Sequence, residues 1–199
     1  MKRILISAAE PSGDQLAAEL VAALKKRGHA EFWGLAGPRM RAVGVRAIAR
    51  MEEVSAMGLI EIAGKIRSIN SVKKRIVREI GTDPDAIILI DSPDLHIPLA
   101  RAAKARGILS IGYVSPQVWA WRPGRISTIS AVMDQLLCLF DFEPALYPDP
   151  LAHWVGHPVI DRMPARSKPN PLRFGLAPGS RPQETQRHLS VFIETAEQI

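Results

Sequence analysis

The sequence predicts an α/β fold: a Rossmann-like, doubly wound, mainly parallel sheet. Three observations predict it. Short apolar runs alternate with segments of helical period along most of the 199 residues. The runs are continuously apolar and do not alternate with polar residues, as expected of strands covered by helices on both faces. A content of 47% hydrophobic and 23% charged residues is that of a globular domain and excludes disorder.

Residues 3–8 (RILISA) form the first predicted strand. The following loop, AAEPSGDQ, opens a helix over 14–27, with Ser12 as N-cap, Gln15 completing a capping box and Asp14 in the first turn. No GxGxxG is present, which argues against a dinucleotide fingerprint, while Gly13 would let a ligand approach the helix N-terminus. Strands are predicted over 31–35 and 45–49, then a helix over 64–80. Ile62, Ile66, Ile69, Ile76 and Ile80 share one face of that helix, and Arg67, Lys74, Arg75 and Arg78 the opposite one. Six basic and no acidic residues lie between Lys65 and Arg78, a one-signed face that a solvated helix does not ordinarily carry.

The strand predicted over 86–90 runs into IDSPDLH, which puts Asp91 at a strand end. There it is placed to act as general base toward a hydroxyl, ahead of a role as metal ligand: the spacing to Asp94 is not Asp-x-Asp, and His96 does not complete a metal site. Asp94 is expected to cap a helix over 97–106. A strand over 108–114 leads into YVSPQVWAWR, Tyr113 to Arg122. Trp119 and Trp121 at i, i+2 point to opposite sides there, beside Arg122 and Arg125. Two readings are open: indoles filling core gaps, or a site for an amphiphilic or phosphorylated ligand. A helix over 123–132 and strands over 135–140 and 153–155 follow. Val155-Gly156-His157-Pro158 then presents His157, as a turn stabiliser or toward an interdomain cleft.

Residues 163–171, MPARSKPNP, read as a linker with three prolines in nine positions. The predicted organisation is a domain over 1–162, that linker, and the opening βα unit of a second domain over 172–199. The second unit has a strand over 172–177, the loop APGSR and a helix from 184. Gly179, Ser180 and Arg181 in APGSR have the chemistry to hold a diphosphate. A net charge of +6 points to an anionic partner: nucleic acid, membrane surface or phosphorylated substrate. A single cysteine, Cys138, excludes an internal disulfide framework. No apolar stretch approaches the ~20 residues of a membrane span and no signal-peptide pattern is seen, so a cytoplasmic location is expected.

In order, SAAEPSGD, GLAGPRM, MEEVSAMGLIEI, IDSPD, YVSPQVWAWRPGR, VGHP and PGSRPQE resemble the lipid-A-disaccharide synthases, inverting glycosyltransferases of the GT-B fold. The resemblance implies transfer of diacylglucosamine from UDP-2,3-diacylglucosamine to 2,3-diacylglucosamine 1-phosphate (lipid X), releasing UDP, without metal or other cofactor. It implies Asp91 as the base, and Glu10, Ser12, Met57, Ser115, Gln117, Trp119, Trp121 and Arg122 around the acceptor. It places Gly179, Ser180 and Arg181 on the diphosphate and His157 between domains. Leu59, Ile60, Lys73, Lys74 and Arg75 would form a peripheral contact with the cytoplasmic face of the inner membrane. The family usually has glycine at Ala9, asparagine at His96, proline at Asp141 and leucine at Ala177. Its carboxyl-terminal half lies beyond this chain, which is therefore expected to be nearly inert alone and to need that half or a complementing chain. Competing expectations are a non-enzymatic module binding a lipid phosphosugar or membrane, and another GT-B UDP-sugar enzyme. Nucleic-acid binding has no motif behind it.

Overall fold

A computed structural model describes residues 1–54, 62–164, 175–179 and 182–198, with the side chains of 62–65 and 182–183 outside the description. Two compact units result, Met1–Asp161 and Arg162–Ile199.

The first unit is an all-parallel sheet of seven strands: β1 (Lys2–Ala8), β2 (Ala30–Ala36), β3 (Arg46–Arg50), β4 (Ala86–Ile90), β5 (Leu109–Tyr113), β6 (Gln135–Cys138) and β7 (Ala152–Trp154). The spatial order is β3-β2-β1-β4-β5-β6-β7. Helices α1 (Pro11–Arg27) and α2 (Pro38–Ala42) pack on one face, and α3 (Ile62–Ile80), α4 (Pro93–Lys104) and α5 (Arg125–Val132) on the other.

This two-sided cover explains the continuous apolar runs. Along β4, Ile87 and Leu89 pack with Val72 and Ile76 of α3 and Leu99 of α4, while Ile88 and Ile90 pack with Ala17 and Val21 of α1. A polar residue on either face is buried and needs a partner inside the fold, as Ser7 of β1 and Ser110 of β5 have. The strand predicted over 86–90 accordingly coincides with β4, and the others predicted in this unit agree to within a residue or two at each end.

Several helix starts are corrected. Ser12 does not cap α1, because Pro11 takes the first helical position and Glu10 the cap, without a side-chain bond. Asp94 likewise lies inside α4, behind Pro93, and Ser92 is the cap residue. Asp14 is buried and its carboxylate accepts the backbone N–H groups of Arg39 (2.9 Å) and Met40 (3.1 Å), so it caps α2, a short helix that periodicity does not reveal. Gly37 is required beside it: a Cβ there would stand 2.3 Å from Asp14 Cγ.

Helix α3 departs from its predicted faces. Val72, Ile76 and Ile80 are fully buried, Ile69 packs on the core, but Ile66 is more than half exposed. Its basic side is not uniformly free either. Arg75 donates to Ile48 O and pairs with Glu53, and Lys73 donates to Asp94 O.

In the second unit, α6 (Pro182–Glu197) starts two residues before the predicted 184, and His188 contacts Pro178 O. Of the strand expected over 172–177, residues 172–174 lie outside the described residues and Gly175–Ala177 belong to no regular element. Among the described residues no helix is long and apolar enough to cross a membrane.

Candidate active site

The strand order reverses between β1 and β4, which pair from Ile4↔Ala86 to Ala8↔Ile90. Ligands of open parallel sheets bind beyond the carboxyl ends at such a reversal. Ala9-Glu10 and Asp91-Ser92 leave the two strands side by side there.

The backbone is strained at this place. Asp91 has φ 53° and Ser92 φ 45°, and the adjacent β5 loop adds Val114 at 75° and Arg122 at 56°. Among the described residues, four of the five non-glycine positions in the left-handed region therefore follow β4 or β5. Such conformations cost roughly 1–3 kcal/mol each and persist only where the surroundings fix them. What fixes Asp91 is visible. Its N–H donates to Tyr113 O at 3.0 Å, and its carbonyl lies 2.6 Å from His96 Nδ1.

A carbonyl only accepts, so His96 carries its proton on Nδ1 and its Nε2, 2.9 Å from Ser7 Oγ, accepts from that hydroxyl. Burial, with the Lys73 charge nearby, pushes the imidazole down to about 4, and it stays neutral at physiological pH. The chain Ser7–His96–Asp91 thus ties the carboxyl end of β1 to the turn that carries the Asp91 side chain.

The structure places the remaining predicted residues as follows. Glu10 and Ser12 are exposed at the N-terminus of α1, next to the Asp91 turn. Ser115 is buried, and its hydroxyl is engaged with Tyr147 Oη at 3.0 Å. Gln117 is exposed, and its carbonyl accepts the N–H groups of Ala120 and Trp121. The core-filling reading of the tryptophans is overturned: Trp119 is 54% and Trp121 59% exposed, and Val118, just before them, takes the core position. The two indoles do diverge. Trp119 meets Phe142 edge-on at 5.7 Å, whereas Trp121 lies under the guanidinium groups of Arg122 and Arg125.

Two features escaped the sequence reading. Trp119, Phe142, Phe140 and His157 form a continuous ring ladder, with centroids 5.7, 5.8 and 6.1 Å apart. The i, i+2 spacing of Phe140 and Phe142 was a usable signal for it. His157 also accepts the Val159 N–H at Nδ1, a bond that fits the turn-stabilising one of its two readings. The second feature is Asp94, which ion-pairs with Arg125 and has Arg122 at 3.7 Å. Met57, Leu59, Ile60, Ser180 and Arg181 lie outside the described residues; Lys74 is exposed. Gly179, in the second unit, has φ 116° and accepts a bond from Thr185.

A family model described as lipid-A-disaccharide synthetase matches residues 4–199. Lipid-A-disaccharide synthase of Alkalilimnicola ehrlichii is 37% identical over 99% of this chain and 56% of its own length. That of Syntrophus aciditrophicus is 40% identical over 98% and 55%. The chain spans about half the length of the curated relatives it matches. Among solved structures, Acinetobacter baumannii MurG aligns with a TM-score of 0.53 at 16% identity, over 78% of this chain and 45% of that one. UDP-GlcNAc 2-epimerase from Neisseria meningitidis bound to UDP-GlcNAc aligns with a TM-score of 0.54 at 12% identity, over 81% and 47%. These last two are likenesses of fold.

Proposed function

Since this chain belongs to the lipid-A-disaccharide synthase family, we propose that it is the acceptor-side half of an inverting glycosyltransferase. The reaction moves diacylglucosamine from UDP-2,3-diacylglucosamine to the 6-hydroxyl of lipid X. The observation that carries this reading is Asp91, held in a left-handed turn at the strand reversal by the His96 and Tyr113 bonds.

An Asp91 carboxylate oxygen takes the proton of the acceptor hydroxyl as the hydroxyl oxygen bonds to the anomeric carbon of the donor. The bond from that carbon to UDP breaks on the opposite face, so configuration inverts and UDP departs with the electron pair. Arg181 and the amides at 179–180 balance the charge on the diphosphate, residues 172–199 opening the half that holds the nucleotide sugar. No metal is needed for that balance. Trp119, Trp121 and Arg122 flank the acceptor. Residues 57–60, with the exposed Lys74 and its basic neighbours, rest on anionic lipid at the cytoplasmic face of the inner membrane.

The test measures UDP release from UDP-diacylglucosamine and lipid X. It compares the 199-residue chain alone with the chain extended by the carboxyl-terminal half of a relative. Turnover is expected from the extended protein, a loss of about 100-fold or more in Asp91→Asn, and next to none from the chain alone. Undiminished turnover in Asp91→Asn removes Asp91 as base. Robust turnover by the chain alone refutes the division into halves. Binding of lipid X by an extended protein that never turns over favours the non-enzymatic module.

A further inference from the structure

Three cations converge on Asp94 beyond the carboxyl end of β4. The Asp94 Oδ1 atom pairs with Arg125 and stands 3.7 Å from Arg122 Nη1, and Lys73 reaches across from α3 to donate to the Asp94 carbonyl at 3.3 Å. Both arginines use the same carboxylate oxygen, which cannot take up more than a fraction of their N–H donors. Three positive charges against one negative leave a local excess of positive charge.

The exposures are unequal in an informative way. The Asp94 side chain is 79% exposed and that of Arg125 only 15%. A solvated, replaceable anion therefore neutralises a guanidinium that the fold holds in place. Arg122 keeps its left-handed backbone while lying 4.3 Å from the Trp121 ring, and Arg125 lies 5.7 Å from the same ring. Paired guanidinium groups suit the several oxygens of a phosphate better than one carboxylate oxygen. An exposed indole beside them suits the apolar face of a pyranose.

We infer that Lys73, Arg122, Arg125 and Trp121 form a binding site for the phosphate and ring of a sugar 1-phosphate, which Asp94 fills as an internal counter-ion when no ligand is bound. The inference rests on the reading of this chain as an acceptor-side half, and it assigns the acceptor's phosphate to named side chains. Lys73 and Arg125 thereby gain a role on the ligand.

The test titrates the 199-residue protein with glucosamine 1-phosphate and with inorganic phosphate, read at the Trp121 indole N–H by NMR, alongside flotation with phosphatidic acid vesicles. Glucosamine 1-phosphate is expected to bind more tightly than phosphate. Arg122→Ala and Arg125→Ala should each weaken both ligands about tenfold. With both variants followed at backbone amides, Trp121→Phe should leave the order unchanged and Trp121→Ala should weaken only the sugar phosphate. Asp94→Asn decides the matter: it should tighten both ligands several-fold by removing the competing anion. Unchanged or weaker binding in Asp94→Asn overturns the inference, as does vesicle binding without glucosamine 1-phosphate binding. Because Arg125 is mostly buried, the half-exposed Arg122 carries the test if Arg125→Ala does not fold. Failure here leaves the UDP-release assay of Asp91 untouched, so the two readings fail separately.

Discussion

Replacing His96 by asparagine should flatten the acid limb of the protein's stability curve. His96 is 1% exposed and its imidazole is pushed from an ordinary 6.5 down to about 4, chiefly by burial. The fold accepts only the neutral ring, whereas the unfolded chain protonates it freely. The stability this provides is complete above the unfolded value of 6.5 and is lost as pH falls toward 4. The full effect is about 3 kcal/mol, and the part falling between about pH 7.5 and about pH 5.5 is roughly 1–1.5 kcal/mol, before most carboxylates titrate. Asparagine keeps an N–H donor for the Asp91 carbonyl but has no proton to gain. Urea unfolding of both proteins across that range is the assay. The wild-type protein should lose roughly 1–1.5 kcal/mol more than His96→Asn. Parallel curves would refute both the neutral tautomer and the role of burial in setting it.

Gly37→Ala should cost about 2–3 kcal/mol in urea unfolding, because its Cβ displaces the Asp14 carboxylate that caps α2. In an Asp14→Ala background the same change should cost under about 1 kcal/mol, and equal costs in the two backgrounds would exclude the clash as the cause. Cys138 is buried and its thiol is pushed up to about 12, first by burial. Native protein at neutral pH should react with a disulfide reagent at least about 100-fold more slowly than protein unfolded in urea, and comparable rates would contradict the burial.

Strands were legible because two-sided burial leaves little room for polar residues, and none along β4, which is why residues 86–90 read true to both ends. Their neighbours ended less clearly. The strand predicted over 108–114 stops at Tyr113, where Val114 turns to φ 75°, and no residue pattern announces a β-branched side chain in that conformation. The misplaced caps were recoverable: Pro11 and Pro93 belong at first helical positions, which moves each start ahead of Ser12 and Asp94. Helix α2 was not, since five residues hold no period and its cap comes from Asp14, far back in the chain. In the candidate site Asp91 was readable from its place after a strand. The bonds of Lys73 to Asp94 and of Arg75 to Ile48 and Glu53 were not, because a basic stripe looks solvated until the fold supplies its partners.

The position of β1 inside the sheet, between β2 and β4, has a consequence for synthesis of the chain. Ile4 pairs with Ala86, so the first strand waits for a partner 86 − 4 = 82 residues later. At about 5–20 residues per second that wait lasts roughly 4–16 s. For that interval one edge of KRILISA stands open, with only β2 beside it. Until β4 is made, that open edge is a place where another strand can pair wrongly, and pairing from Ile4↔Ala86 to Ala8↔Ile90 closes it.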